Sequence, residues 1–269
     1  MDKPIKIAVV NQKGGVGKTT TVVNLATALA AIDKQVLIVD LDPQGNATTG
    51  IGISKSTLTK SSYDCILHQA DINDCVKSTL VPGMYVIPSI EDLSAAEIEL
   101  SSINGRERHL QQALSSQCDQ YDYILIDCPP SLGLLTLNAL VAADYALIPL
   151  QSEFYALEGL AQLVSTIKRV RSSLNANLNI LGILITMFDK RSSLNISVIE
   201  EVRKFFPTYL FSTVIPRNIK LSEAPSYGKP VLLYDHNCKG AQAYIEFAKE
   251  LLRKLEGGYN AKDSRQRAG

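Results

Sequence analysis

The chain has 269 residues, 46% of them hydrophobic, and its 27 basic and 27 acidic side chains give a formal net charge of zero. This length and apolar content suffice for one substantial core, so we predict a single domain over residues 1–256. The net charge of zero excludes attraction of nucleic acid by the overall charge of the protein. A nucleic-acid partner would have to bind at a local basic patch. No apolar run reaches the roughly 18–20 residues that span a bilayer, and the first residues do not resemble a signal peptide. We therefore expect a cytoplasmic protein that has no membrane partner.

Short apolar runs rich in β-branched residues alternate along the chain with segments of helical apolar spacing. The predicted strands are residues 5–11, 35–40, 84–88, 123–127, 145–150, 180–187 and 210–215. The predicted helices include 132–142, 157–173, 195–206 and 241–255, and another begins inside a Gly-rich loop after the first strand. Strands that are continuous apolar runs are typical of a parallel sheet covered on both faces. The sequence thus predicts an α/β fold, a doubly wound, mostly parallel sheet with helices on both faces, whose ligands bind beyond the carboxyl ends of the strands.

The first predicted strand is followed by a loop made of Lys13, Gly14, Gly15, Val16, Gly17, Lys18, Thr19 and Thr20. Its glycines let the backbone pass close to a phosphate chain, and the helix that begins there points free N–H groups at the anion. We predict that Lys18 contacts the outer phosphates and that the Thr19 hydroxyl binds Mg²⁺. Gln12 stands where the usual P-loop has its first glycine, so this loop is a variant P-loop. A Gly-rich turn without a ligand is the alternative, and the strand before and helix after the loop argue against it.

Lys13 is a second lysine ahead of the glycines of this loop. It lies too near the loop to reach back comfortably to its own nucleotide, but it could extend to the nucleotide of another subunit. We therefore predict that Lys13 is a cation acting in trans, in the role that an arginine finger plays elsewhere. The alternative is a solvated surface lysine.

Two acids lie at or just beyond the ends of predicted strands. Asp42 lies in a turn-rich segment just past the strand that ends at Asp40, where a carboxylate can orient an attacking water. The alternative for Asp42 is a turn initiator before Pro43. Asp127 ends an apolar strand, the pattern of a Walker B aspartate that binds Mg²⁺. Following a P-loop, this pattern becomes a strong signal.

The combined motifs resemble the deviant-Walker-A ATPases and match their ParA/Soj chromosome-partitioning branch closely. The similar stretches are KGGVGKTT (13–20), VDLDPQGNAT (39–48), ILIDCPPSLGLLTLNAL (124–140), ALEGL (156–160) and TVIPRNIKLSEAPSYGKPV (213–231). The resemblance implies an enzyme that hydrolyses ATP to ADP and phosphate with ATP and Mg²⁺ as cofactors. It also implies that Lys13 reaches across an ATP-sandwich homodimer and that Pro216 and Asn218 flank the adenine.

The same resemblance implies partners. The ATP-bound dimer of this family binds double-stranded DNA non-specifically, and a ParB-like centromere-binding protein stimulates hydrolysis, so a nucleoid-associated protein is expected. Arg191 and Lys220 match positions that bind DNA in relatives, and the plausible neighbours are Lys190, Arg203, Lys204 and Arg217. Doubling a modest basic patch across a two-fold axis multiplies phosphate contacts, so the dimer should bind far more tightly than the monomer. For each of these cations the alternative is a solvated surface charge.

The nearest rival is a MinD-like ATPase, which shares the loop but binds membranes through a C-terminal amphipathic helix. Residues 244–258 are amphipathic, yet the end of the chain, AKDSRQRAG (261–269), has no Phe, Leu, Ile or Trp to enter lipid, and the stretch from Gly257 onward is polar and Gly-punctuated. We predict that the amphipathic segment packs on the sheet and that residues 257–269 form a disordered tail.

Two further alternatives stay open at this point. An iron–sulfur carrier would bridge a cluster between subunits with cysteines, but Cys128 has no companion in a comparable loop and the chain has no CxxC pair. A nucleotide-binding interaction module without hydrolysis is the non-enzyme alternative, because the resemblance implies slow turnover until a partner is present.

Overall fold

The computed structural model describes residues 3–115, 118–153 and 156–266, with side chains described as far as residue 257. Within this part of the chain, eight strands form one sheet in the order β3-β4-β2-β5-β1-β6-β7-β8. The strands are β1 (Ile5–Val9), β2 (Val36–Asp40), β3 (Lys77–Ser78), β4 (Met84–Ile87), β5 (Tyr123–Asp127), β6 (Tyr145–Gln151), β7 (Asn179–Phe188) and β8 (Leu210–Pro216). Neighbouring strands are parallel except β3 and β4, which pair antiparallel. The predicted mostly parallel α/β sheet is therefore confirmed.

Helices connect the strands. They are α1 (Lys18–Ala30), α2 (Asn46–Gly50), α3 (Ser62–Ile66), α4 (Ile72–Cys75), α5 (Leu93–Ser101), α6 (His109–Ala113), α7 (Leu134–Ala142), α8 (Ala156–Ser173), α9 (Ser193–Phe205), α10 (Ile219–Glu223), α11 (Val231–Tyr234) and α12 (Lys239–Gln266). Short 3-10 turns lie at Lys55–Thr57, Arg106–Arg108 and Ala224–Tyr227. Among the described residues, no helix has both the length and the apolar character needed to cross a bilayer.

The core lies on both faces of the sheet. Side chains alternate along β1, so that Ile7 and Val9 belong to one apolar cluster while Ala8 belongs to the other. Helices α1 and α12 cover the first face, and α7 and α8 cover the second. Burial on both faces explains why the strands read as continuous apolar runs in the sequence. The seven predicted strands are all present with ends within two residues, whereas the two-residue β3 has no apolar run that could have predicted it.

The sheet order places three loops at one edge. Strand β5 lies between β1 and β2, and the register pairs Asp127 with Val9 on one side and with Asp40 on the other. Because all three strands are parallel, their carboxyl ends meet, and the loops that follow them converge. The predicted P-loop and both predicted acids are thereby brought to the same edge.

The C-terminal helix packs on the sheet. Tyr244, Phe247, Leu251 and Leu255 recur at helical spacing and are buried against the β-sheet face that also contacts α1. Full burial of such side chains contributes roughly 1.5–3 kcal/mol each, so this apolar face is committed to the core rather than left for another surface. The packing that the sequence predicts for this amphipathic segment is confirmed.

The same helix continues to Gln266, whereas the sequence predicts a disordered tail from residue 257. Once a helix is nucleated by its packed portion, each further residue adds one hydrogen bond, and the pair Gly257-Gly258 does not stop it here. The backbone of this segment is thus helical where irregular structure was expected. Residues 267–269 of the predicted tail lie outside the described residues, and the domain boundary at residue 256 stays a prediction.

Candidate functional site

The P-loop has an open backbone. Gly15 and Gly17 adopt left-handed φ values of 74° and 88°, which a residue with a side chain rarely accepts. Gly17 is the N-cap of α1 and provides no side chain to cap it, so the positive end of the helix is open to an anion. The Thr186 hydroxyl donates a 2.8 Å hydrogen bond to the Val16 carbonyl and ties the loop to β7. The loop is consequently fixed in a form that can receive phosphate.

Lys18 is almost fully buried in this loop. Its ammonium donates to the Lys13 carbonyl at 3.1 Å, which folds the side chain back over the glycines. Burial lowers the pKa of Lys18, and the negative charges of Asp127 and Asp42 act in the opposite direction. The structure thus brings together the predicted phosphate lysine and both predicted acids, within electrostatic reach of one another.

Asp127 is fully buried at the end of β5, and neither of its carboxylate oxygens has a hydrogen-bond partner within the described chain. Burial, together with the charge of Asp40, raises the pKa of Asp127 well above its usual range, while Thr19 and Lys18 oppose that rise. A buried carboxylate without partners is costly unless a cation compensates it. The orphaned oxygens beside Thr19 therefore fit Mg²⁺, the ion predicted for these two residues.

Asp40 is a further buried acid at this edge, and it is not among the site residues predicted from the sequence. Its carboxylate accepts hydrogen bonds from the Thr48 backbone N–H (2.9 Å), the Thr48 hydroxyl (2.7 Å) and the Asp42 N–H (3.2 Å). Burial raises the pKa of Asp40 to about 6 against these hydrogen bonds. Asp40 could have been predicted from the sequence, because it ends an apolar strand in the same way as Asp127.

Asp42 lies two residues after Asp40 and is 8% exposed. Its Oδ1 accepts from the Gln44 N–H at 3.0 Å, and its carbonyl accepts from the Gly45 N–H and the Ser89 hydroxyl at 2.8 and 2.7 Å. Asp42 thus does initiate a turn, as the alternative interpretation holds, and the same turn fixes its carboxylate near Lys18. The two interpretations are compatible, and the water-positioning role stays a prediction.

A cavity of about 510 Å³ extends from the P-loop to β8. Pro216 and Asn218 line it together with Gly17 and Thr20, so the structure joins the two predicted adenine residues to the phosphate loop. Met187, at the end of β7, also lines the cavity and has a φ of 51°, an uncommon conformation for a residue with a long side chain. No pattern in the sequence indicated Met187.

Lys13 is half exposed at the outer edge of the loop, and its ammonium forms an ion pair with the Glu153 carboxylate of the same chain. Glu153 lies just after β6, a position the sequence analysis did not select. Both side chains are about half exposed, and ion pairs of that kind contribute only ~0–1 kcal/mol. Lys13 is therefore held in place weakly enough to exchange Glu153 for another anion.

The two predicted DNA-binding cations are each paired with a nearby carboxylate. Arg191 donates through Nε and Nη2 to both oxygens of Asp189, at 3.0 and 2.9 Å, and this contact lowers the pKa of Asp189 to about 2. Lys220 donates to Glu223 at 2.9 Å and lies 5.5 Å from the centre of the Tyr234 ring. Both cations are on the surface, but their charge is partly compensated in this form of the chain.

The neighbouring cations divide into two groups. Lys190 and Arg217 are exposed at the carboxyl ends of β7 and β8, at the same edge as Arg191. Arg203 and Lys204 belong to the last turn of α9, about 16 Å along the axis from the start of that helix at Ser193. The structure does not bring Arg203 and Lys204 into the patch formed by the others.

Comparison with known proteins gives one consistent family. A family model described as an AAA domain matches residues 5–180. The sporulation initiation inhibitor protein Soj of Bacillus subtilis is 55% identical over 245 residues, covering 91% of this chain and 97% of that protein. The chromosome partitioning protein ParA of Caulobacter vibrioides is 50% identical over 254 residues, covering 93% and 95%. The solved structure of cobyrinic acid a,c-diamide synthase from Mycobacterium smegmatis, with bound ATP analog and magnesium, has a TM-score of 0.84 at 37% identity and covers 95% and 97%.

These identities extend over nearly the whole of the chains compared and agree with the geometry of the P-loop edge. They confirm the family and the ATPase class that the sequence predicts. This chain belongs to the ParA/Soj family of chromosome-partitioning P-loop ATPases.

Proposed function

We propose that this protein is the ATP-driven switch of a DNA-segregation system. It binds ATP and Mg²⁺, forms a homodimer around the nucleotides, binds double-stranded DNA non-specifically as that dimer, and is released when a ParB-like partner stimulates hydrolysis. The observation that carries the proposal is the convergence of Lys18, Asp42 and Asp127 on a P-loop whose outer edge presents the half-exposed Lys13.

The residues divide the chemistry among them. The open N-terminus of α1 and the Lys18 ammonium bind the phosphates, while the cavity beside Pro216 and Asn218 takes the base. Thr19 and Asp127 would hold Mg²⁺, which supplies charge neutralisation on the phosphates. Asp42 accepts a hydrogen bond from the attacking water and orients it toward the terminal phosphate, because its turn keeps the carboxylate fixed near Lys18.

Lys13 provides the connection to a second copy. Its pairing with Glu153 is an exposed one, so the phosphates of a partner's nucleotide compete well for the ammonium. Two chains related by a two-fold axis would each place Lys13 on the other's nucleotide. The terminal phosphate then holds the dimer together, and its loss on hydrolysis lets the dimer open.

In this proposal, DNA binding also depends on formation of the ATP-bound dimer. One chain offers a small patch of Arg191, Lys220, Lys190 and Arg217, with part of its charge compensated by Asp189 and Glu223. Each phosphate contact releases counterions, so affinity rises steeply when the number of contacts doubles. The relatives named for chromosome partitioning support this assignment, and with it a cytoplasmic, nucleoid-associated location.

The experiment compares duplex DNA affinity for the wild type, Lys18→Ala and Arg191→Ala, each with ATP, with ADP and without nucleotide. We expect tight binding only by the wild type with ATP. Arg169→Ala, which removes an exposed arginine from α8, is the matched control and should behave as the wild type. Binding that ignored the nucleotide would reject the switch, and phosphate release measured with DNA and a ParB-like protein separates an enzyme from a non-hydrolysing module.

A further inference from the structure

The side-chain amide of Asn195 bridges the loops that follow two neighbouring strands. Its Nδ2 donates to the Ser152 carbonyl at 2.8 Å, just after β6, and its Oδ1 accepts from the Asp189 N–H at 3.0 Å, just after β7. Ser152 is buried and Asn195 is half-buried, so these hydrogen bonds are partly shielded from water. The side-chain amide of Asn195 thus joins two loops from different parts of the chain. Its N–H group binds one loop and its oxygen binds the other.

Each of these two loops carries an acidic residue that pairs with a basic side chain. On the β6 side, Glu153 directly follows Ser152 and forms the ion pair with Lys13. On the β7 side, the Asp189 carboxylate holds both Nε and Nη2 of Arg191. The basic side chain of each pair is exposed to solvent. That of Lys13 is about half exposed, and that of Arg191 is 84% exposed. Transfer of either cation to an external phosphate should therefore cost little free energy, whereas the amide between them is held by a hydrogen bond on each side.

We infer that Asn195 is a positioning residue that couples nucleotide-dependent dimer closure at Lys13 to the DNA affinity of Arg191. This inference rests on the proposed function. When Lys13 leaves Glu153 for the nucleotide of the other subunit, Ser152 and Glu153 are free to shift, and the amide passes that shift to the backbone of Asp189. The carboxylate that compensates Arg191 then moves relative to it, and the guanidinium becomes available to DNA phosphate.

Asn195 is not required to start helix α9. That helix is capped by Ser192, whose hydroxyl accepts from the Asn195 N–H at 3.3 Å, whereas the Asn195 side chain points to the two loops. Ser192→Ala therefore weakens the beginning of α9 while keeping the bridge, and Asn195→Ala removes the bridge while keeping the cap. The two variants separate coupling from a general loosening of this region.

The test measures duplex DNA affinity with ATP and with ADP, alongside the ATP-induced dimer mass and the thermal midpoint, for the wild type, Asn195→Ala and Ser192→Ala. We expect Asn195→Ala to dimerise with ATP yet to lose about two- to thirtyfold of the ATP-to-ADP affinity ratio, the range by which residues between two coupled sites can change that coupling. Ser192→Ala should lower the thermal midpoint without changing that ratio.

An unchanged ratio in a folded Asn195→Ala would overturn the inference, as would an equal loss in Ser192→Ala. Should Asn195→Ala fail to fold, Asn195→Asp serves instead, because it keeps an acceptor for the Asp189 N–H and places a carboxylate against the Ser152 carbonyl. We expect the same loss of ratio there, and a wild-type ratio in that variant contradicts coupling. A wild type whose DNA binding ignores nucleotide rejects the proposed function itself, which is a different result from any of these.

Discussion

The carboxyl edge of β1, β2 and β5 and the carboxyl edge of β7 and β8 belong to the same sheet, yet they are built differently. At the first edge, Asp40, Asp42, Asp127 and Lys18 are buried within one chain and fixed by hydrogen bonds or close charges. At the second edge, cations such as Arg191 are exposed and already compensated by a local carboxylate. A buried cluster can act within one chain, whereas a compensated surface patch gains strength through repetition or through release of its cations from their local partners.

Under the proposed function, the contrast explains why one chain would hold the phosphates largely by itself but would bind DNA only weakly. Charges in a partly buried site interact strongly because water does not screen them, while exposed pairs contribute little and are sensitive to salt. Changes at the first edge should therefore have large effects on chemistry or stability. Changes at the second edge should have modest effects that depend on ionic strength.

Asp42→Ala gives the largest expected effect. Loss of a group that orients the water should reduce kcat by about 10²- to 10⁴-fold, while ATP affinity changes little because the phosphate contacts remain. Phosphate release and equilibrium nucleotide binding measure the two quantities. Asp119→Ala, at an exposed acid, is the control. Turnover at the wild-type rate in Asp42→Ala would remove Asp42 from the mechanism.

Asp40 should make the nucleotide-free protein less stable as the pH rises. Its folded pKa of about 6 lies above the ordinary 3.8, so the folded chain binds more protons than the unfolded chain between those values. The free energy of unfolding should then fall from about pH 4 to pH 7, with a contribution from this residue of about 2–3 kcal/mol. Urea unfolding at several pH values should show a flatter profile for Asp40→Asn. A profile parallel to that of the wild type would contradict the assignment.

Lys13→Ala should weaken the ATP-dependent dimer without unfolding the chain. Removing one cation from a charge pair across an interface costs about 30-fold or more in affinity when that pair is desolvated. Sedimentation in a non-hydrolysable ATP analogue measures the dimer constant. Glu153→Gln, which releases Lys13 from its partner in the same chain, should leave the dimer intact or slightly tighter. Equal weakening in both variants would indicate that the pair itself, not Lys13, supports the interface.

Asp189→Asn has the smallest expected effect. Unlike Lys13→Ala, which weakens binding, it should increase an affinity. With the compensating charge gone, Arg191 is more available, and DNA affinity with ATP should rise about two- to fivefold at low salt. The gain should shrink as salt increases. Glu200→Gln, at an exposed acid on α9, controls for the change in net charge. Equal gains in both variants would show that overall charge, rather than release of Arg191, is responsible.

The fold was largely predictable from the sequence because the strands of a doubly wound sheet are buried on both faces and leave uninterrupted apolar runs. The spacing of the C-terminal helix also predicted which side chains it buries. Strand β3 was missed because two residues leave no period to detect. The helical continuation past Gly257 was missed because composition alone does not show whether a nucleated helix continues through a glycine pair.

The geometry of the P-loop was predictable for a different reason. A P-loop needs glycines, a lysine and a hydroxyl at fixed spacing, so Lys18 and Thr19 are determined by local sequence. The contacts of Lys13 with Glu153, and of Asn195 with Ser152, join residues that are far apart in sequence through the order of β1, β6 and β7. That order could not be read from the sequence.

The most direct test of the central claim is the mass of the protein in solution when it is saturated with a non-hydrolysable ATP analogue and Mg²⁺. A dimer held together by its nucleotides should have twice the chain mass of 29.3 kDa with the analogue and a single chain mass with ADP. A protein that stays monomeric with the analogue would show that ATP does not join two copies of this chain.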